Sequence, residues 1–393
     1  MKVVCNIVMA YVGAGILGIP YGFKHSGLVA GTLILGMVCG FSIAAANLLI
    51  ECKNKAASLI HKVSQEHPSK LTHSDIANTA FGHSGRVVMD VALSTAQLGF
   101  SSAYLFFICN SMASIFPSQA KEDFLLLFTL PLFSLTMIRD LNRFAIFSFL
   151  SQIANVFAFA IIICFAFDSF QADHDNPDTQ DVQVTFKGLF LFFSISIYSY
   201  EGSGLLLSLE ESVPESVRGR FRGYFASSLI SITAFYVTFG ALGFMAYGPK
   251  TAEMITLNIE ANPASYLDFG MLVKLCLCFS LFFSYPLMLF PLSAMLDDRF
   301  PKATSNFIMI RFVLVLSTGA IIVLFPSFAD LLEVIGSVFC SMVAFVMPAL
   351  CHLKLFSFEL NRKQKTLNVT LILVGGTAMT LGIASMCAKI MSY

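Results

Sequence analysis

Long apolar runs dominate this chain of 393 residues and leave few folds open to it. A helix needs about 20 mostly apolar residues to cross the roughly 30 Å hydrocarbon core of a bilayer. Runs near that length lie at 3–23, 25–50, 91–120, 124–138, 144–167, 188–209, 223–249, 275–296, 312–329, 334–353 and 366–388. They predict an all-α integral membrane protein with eleven transmembrane helices. Barrel strands show alternating runs of about ten residues, whereas these runs are continuous. The fourth is short, and the sixth carries one acid, Glu201, near its middle.

The loops set the orientation. If residue 1 is cytosolic, that side holds 18 of the 24 Lys and Arg residues, while 168–186 on the far side carries five aspartates. The excess of basic residues favours a cytosolic N-terminus and a lumenal or extracellular C-terminus. The net charge of zero is the sum of these unequal loops, so it implies neither a nucleic-acid partner nor an acidic substrate. All ten cysteines lie in or beside apolar runs, so no structural disulfide is expected, and no cofactor or metal motif is present. Arg86 and Asp90 are spaced for an i, i+4 pair, and Arg311 and Lys274 are placed to snorkel to opposite faces. The sequon Asn368-Val369-Thr370 sits at the cytosolic mouth of the last span, out of reach of glycosylation.

Spans one and six each carry paired glycines near the midpoint, in Gly13-Ala14-Gly15-Ile16-Leu17-Gly18-Ile19-Pro20 and Glu201-Gly202-Ser203-Gly204-Leu205-Leu206. Glycine tolerates unwound backbone at low steric cost, so both are candidate broken helices. Five positions separate them in the order of spans, so they cross the membrane in opposite senses, as in an inverted repeat. Residues 1–168 then form a first five-helix repeat, 187–353 a second, inverted one, and 366–393 an eleventh helix with the C-terminus. One such motif alone would point to close packing, as Gly27/Gly31 and Gly36/Gly40 are expected to provide. Two in corresponding positions point to a ligand site between the halves.

Further motifs extend the pattern along the chain. Asn6 precedes Gly13 to Tyr21 and Phe23-Lys24. Gln97-Leu98-Gly99-Phe100 falls in span three and Tyr198-Ser199-Tyr200-Glu201-Gly202-Ser203-Gly204 in span six. Leu242 to Gly248, Phe282 to Met288 and Phe328-Ala329-Asp330 follow. In order and spacing the chain resembles the amino acid/auxin permease family, in particular its proton-coupled and plant-type vacuolar neutral amino acid transporters. The resemblance implies a LeuT-type fold with an inverted five-plus-five repeat, coupling to protons, and a vacuolar or lysosomal membrane in preference to the plasma membrane. Asn6 stands where the animal proton-coupled branch has a histidine, and Ser208 replaces a proline usual after the break in span six. The family's cytosolic tail is reduced to about two residues before span one, which is expected to reflect a truncated N-terminus.

A zwitterion crossing hydrocarbon needs both charges satisfied, and unwound helices offer free amides and carbonyls for this. The carboxylate is assigned to the amides around Gly13, Ala14, Gly15 and Ile16, at the positive end of a half-helix. The ammonium is assigned to carbonyls of Tyr198, Ser199 and Tyr200, with Gly202, Ser203 and Gly204 completing the break. Gln97, Phe100, Tyr104, Phe283 and Ser284 are candidate pocket walls from spans three and eight, the usual neighbours in this fold. Such walls favour small neutral amino acids, since a charged side chain would need a buried counter-charge. Glu201 is the candidate proton carrier, because an ionised carboxylate at mid-membrane costs a few kcal/mol and a proton relieves that cost. The alternatives are sodium coupling through Asn6, Ser280 and Ser284, or an amino acid sensor with little transport; the chain is expected to be a monomer. Motifs of membrane enzymes are absent from the sequence.

Overall fold

A computed structural model describes residues 4, 7–8, 11–64, 71–138, 145–172, 184–200, 202–259, 268–299 and 304–391. A 3-10 turn at Ala14–Gly18 leads into α1 (Ile19–Ser26), α2 (Leu28–Ser64), α3 (His73–Phe81), α4 (His83–Ile115), α5 (Lys121–Thr136) and α6 (Ala145–Ala172). Then come α7 (Phe186–Ser199), α8 (Ser203–Ser212), α9 (Glu215–Arg218), α10 (Phe221–Tyr247), α11 (Phe269–Arg299) and α12 (Thr304–Leu324). The last two are α13 (Phe328–Leu355) and α14 (Arg362–Ile390). Nine helical stretches among the described residues are long and apolar enough to cross a membrane. The 16-residue α5 and the interrupted first segment fall short of that length.

These helices are apolar on most of their circumference because one side meets lipid and the other the bundle interior. Val29 at 78% exposure and Leu126 at 76% lie on the lipid side, and Phe192, Phe106 and Tyr285 lie inside. Small residues allow close approach. A Cβ at Gly31 would sit 2.7 Å from the ring of Phe23, and one at Gly336 would collide with the carbonyl of Ser194 on α7. Gly36 and Gly40 differ from expectation: a Cβ at either meets nothing within 4 Å, so this second pair faces outward. Within α13, residues 335–340 and 342–346 form π-helical turns, and Gly336 lets them lie directly against α7.

The stretch 51–90, between the second and third apolar runs, is helical over 51–64, 73–81 and 83–90. Helix α2 runs on to Ser64, and α3 starts at a capping box in which Thr72 and Asp75 bond each other's backbone amides. Gly82 at φ 69° then turns the chain into α4. Charged residues extend α2 past the bilayer because they are paired there: Lys53 lies 2.6 Å from Glu210 and 2.8 Å from Glu211, and Glu51 lies 3.0 Å from Arg222 and from His352.

Two basic residues expected to snorkel are instead buried. Arg311 is 4% exposed, because Asp297 on the neighbouring helix engages both its terminal nitrogens at 2.6 Å. Lys274 is 8% exposed. Asn368 of the sequon is fully buried, donating to the Gln364 carbonyl at 2.8 Å and meeting His352 Nδ1 at 3.0 Å, so packing alone closes it to modification.

Candidate functional site

The breaks in the first segment and in the α7–α8 segment face each other at the centre of the bundle. Tyr236 of α10 ties them together, since its hydroxyl lies 2.8 Å from the carbonyl of Tyr11 and 3.2 Å from that of Ser199. Each carbonyl lies at the end of a half-helix, where intrahelical partners run out. Gly15 packs directly on α7: a Cβ there would lie 2.6 Å from Ser199 Oγ and 2.9 Å from Ser199 Cα. Gly202 packs on the ring of Tyr11 in the same way, so a side chain on it would collide with that ring.

Between the breaks lies a chamber of about 60 Å³ lined by Tyr11, Gly13, Ala14, Gly15, Gln97, Phe100, Tyr104, Tyr198, Ser199, Gly202, Gly204, Leu205 and Met288. The first turn of the 3-10 segment has no side-chain cap at Gly13, so among the described residues the amides of Ala14 and Gly15 keep unfilled donor capacity beside it. Tyr104 and Gln97 line the opposite wall, with the Tyr104 hydroxyl 3.5 Å from where a Gly13 Cβ would stand. The Gln97 Oε1 and the Tyr198 hydroxyl have no hydrogen-bond partner among the described residues. A polar group buried without a partner costs free energy, so both atoms are poised for a ligand. Among the described residues none that lines the chamber is charged.

A larger cavity of about 360 Å³ shares Gly13, Ala14, Gln97, Tyr104, Leu205 and Met288 with the chamber. It runs toward Ser148 near the start of α6 and Pro291 near the end of α11. This lower face also bears the ion pairs of α2. One wall is a polar stripe on α6, Ser148, Gln152 and Asn155, at helical spacing in an otherwise apolar helix. Toward the upper face, residues 248–259, which follow α10, pack against Gly18 at the end of the 3-10 turn and against Gly243 of α10. Met254, Ile255 and Thr256 are buried there, and Lys24 of α1 donates to the Thr251 carbonyl at 3.0 Å.

Ten of the residues expected at the site line the chamber: Gly13, Ala14, Gly15, Gln97, Phe100, Tyr104, Tyr198, Ser199, Gly202 and Gly204. Others lie elsewhere. Ile16 donates its amide to the Gly13 carbonyl at 3.4 Å, so that amide is not free for a carboxylate. Tyr200 turns away, and its hydroxyl bonds Thr233 at 2.6 Å. Phe283 stacks on Phe147 with ring centroids 4.3 Å apart. Ser280 and Ser284 line the larger cavity, and the Ser199 carbonyl is already held by Tyr236. Glu201, Asn6 and the side chain of Ser203 lie outside the described residues. Tyr11, Leu205 and Met288 were not anticipated. The α6 stripe was missed too, although its spacing was readable.

Two facing helix breaks around a chamber that adjoins a larger cavity have the geometry of a LeuT-type fold. The structure of MhsT in complex with L-phenylalanine aligns with a TM-score of 0.58 over 98% of both chains, at 15% identity. Amino acid transporter AVT3B of Arabidopsis thaliana is 32% identical over 95% of this chain and 89% of its own length. Vacuolar amino acid transporter 3 of Schizosaccharomyces pombe is 24% identical over 96% of this chain and 56% of its own length. The family described as transmembrane amino acid transporter protein matches residues 1–388, and the chain belongs to it. It is a multi-pass membrane protein of an amino acid transporter family, not of an enzyme family.

Proposed function

We propose that the chain moves small neutral amino acids across the vacuolar membrane, coupled to protons, by alternating exposure of the central chamber. One observation carries this: among the described residues the chamber offers unfilled amides, a free amide oxygen, a free tyrosine hydroxyl and no charged side chain. A zwitterion finds donors for its carboxylate at Ala14 and Gly15 and an acceptor for its ammonium at Gln97. A charged side chain would be buried without a counter-charge. The chamber holds about five water-sized groups, which suits the polar part of a small amino acid.

The vacuolar assignment is supported by the name of the Schizosaccharomyces pombe relative and by the basic loops that orient the lower face to the cytosol. In this orientation the larger cavity faces the cytosol and residues 248–259 face the lumen. We take the two breaks as the centres of inverted halves, 1–168 and 187–353, with 366–393 appended, eleven crossings in all and a monomer as the working unit. Glu201, next to the second break in sequence, is the proposed proton carrier.

The test is uptake of a panel of neutral, acidic and basic amino acids into proteoliposomes, with a proton gradient, a sodium gradient or neither. Two units of pH support about a hundredfold accumulation. Proton-driven uptake of alanine-sized substrates that Glu201→Gln abolishes is the expected result. Uptake driven only by sodium shifts the coupling site to Ser280 and Ser284, and binding without uptake makes the chain a sensor.

A further inference from the structure

The central chamber, at about 60 Å³, has room for the polar part of an amino acid and little more. A side chain longer than that of alanine has to extend beyond it. The larger cavity of about 360 Å³ shares six wall residues with the chamber, among them Gly13, Gln97 and Tyr104. Its size is that of pockets which hold small molecules.

Two helices packed against each other, α6 and α11, supply its polar groups. On α6, Gln152 and Asn155 are three residues apart and share a face; on α11, Ser280 and Ser284 are four apart and do the same. Much of the remaining wall is aliphatic, with Leu277 and Leu281 one turn apart on α11. Among the described residues, no charged side chain lines the cavity.

These polar groups are unpaired. Serines buried in this bundle commonly bond the carbonyl one turn back, as Ser101, Ser102, Ser196 and Ser337 do. Ser280 is only 1% exposed, yet its hydroxyl has no partner among the described residues. The side chains of Gln152, Asn155 and Ser284 make no hydrogen bond among the described residues either. A ligand group that both donates and accepts satisfies such a wall, and an apolar group of the same shape leaves it unsatisfied.

We propose that the larger cavity receives the side chain of the substrate, and that Gln152, Asn155 and Ser280 select neutral amino acids whose side chains end in a carboxamide. The subsite rests on the transport reading above and narrows its substrate class. The zwitterion occupies the chamber, and the side chain crosses the shared wall. Its methylenes lie against Leu277 and Leu281. Its amide exchanges hydrogen bonds with the amides of Gln152 and Asn155, each a donor and an acceptor, and accepts one from the Ser280 hydroxyl. Acidic and basic side chains find no counter-charge there.

Displacement of labelled L-alanine from the full chain in lipid nanodiscs, by L-glutamine and by L-methionine, tests this. The two competitors have side chains of similar length, and glutamine alone carries an amide. In the parent, glutamine should displace alanine at a concentration roughly tenfold or more below that of methionine. Asn155→Leu and Gln152→Leu should each lower that ratio by about fivefold, and the double variant should bring it to about one or below. Because the ratio is taken within one protein, a general loss of packing or yield does not move it. Equal or better displacement by methionine in the parent overturns the proposal whether or not the variants fold, as does a parent ratio that persists in folded variants. The transport reading is separable: a parent that binds none of the three amino acids removes that reading and the subsite with it, whereas alanine binding without a preference for glutamine removes the subsite alone.

Discussion

The hydroxyl of Tyr236 lies 2.8 Å from the backbone carbonyl of Tyr11 and reaches the Ser199 carbonyl from the same position. One side chain from α10 thus ties the ends of both half-helices that the breaks leave open. Tyr236 is fully buried, and its ring packs edge-on against Tyr200 at 5.4 Å, so it has no freedom to leave. It holds the two breaks in register across the chamber.

Tyr236→Phe preserves the ring and removes the tie. The carbonyls of Tyr11 and Ser199 then lose this donor, and a typical hydrogen bond contributes about 0.5–1.5 kcal/mol. The expected outcome is a folded protein with normal yield and an initial uptake rate at least tenfold lower, measured in proteoliposomes against the parent.

Gly13 and Gly15 are two residues apart and predict opposite behaviour. A Cβ on Gly15 would press on the backbone of Ser199, whereas one on Gly13 meets only the Tyr104 hydroxyl at 3.5 Å, an ordinary contact. Gly15→Ala should therefore separate the breaks and abolish binding. Gly13→Ala should retain transport with a raised KM, because the added methyl takes space from the chamber without moving its wall. Isothermal binding and uptake kinetics on the two variants check this contrast.

Much of this arrangement was legible before any coordinates. Apolar runs of membrane length marked the helices, and Gly13, Gly15, Gly202 and Gly204 marked the breaks, because an unwound helix in hydrocarbon needs residues without a Cβ at the point of contact. The side chains on facing helices were less legible. Tyr236 is one tyrosine in an apolar run, and only the three-dimensional crossing of α10 over both breaks gives its hydroxyl a role. Tyr200 and Phe283 sit in the right motifs but on the wrong side of their backbones, since a neighbour such as Thr233 or Phe147 decides where each points. Arg311 was misjudged for the same reason, because its partner Asp297 belongs to a different span.

That pair yields a stability prediction. Removing one member of a buried, bidentate ion pair strands the other charge, at a cost of about 3–5 kcal/mol. Asp297 is 32% exposed along its side chain, so the lower end of that range applies. Arg311→Met should lower the melting temperature in detergent by several degrees, and the double variant Arg311→Met with Asp297→Leu should recover most of the loss. Both should leave KM unchanged in the folded fraction, because neither residue reaches the chamber.

Gln97 is where the chemistry of the chamber can be weighed most directly. Its Oε1 has no partner among the described residues, and its Nε2 lies 3.6 Å from where a Gly204 Cβ would stand, so the amide spans α4 and the second break. An ammonium donating to this oxygen forms a hydrogen bond to a charged group, worth about 1.5–3 kcal/mol. Gln97→Ala should accordingly raise the Kd for a neutral amino acid roughly 10- to 100-fold. Gln97→Glu places a carboxylate opposite the same ammonium. It should favour dibasic amino acids over neutral ones, since the added carboxylate offsets the net positive charge that the described chamber wall leaves uncompensated. Competition of a labelled neutral amino acid by alanine, lysine and glutamate measures both variants. An unchanged rank order in Gln97→Glu would remove Gln97 from the substrate's ammonium and leave the Tyr198 hydroxyl as its partner.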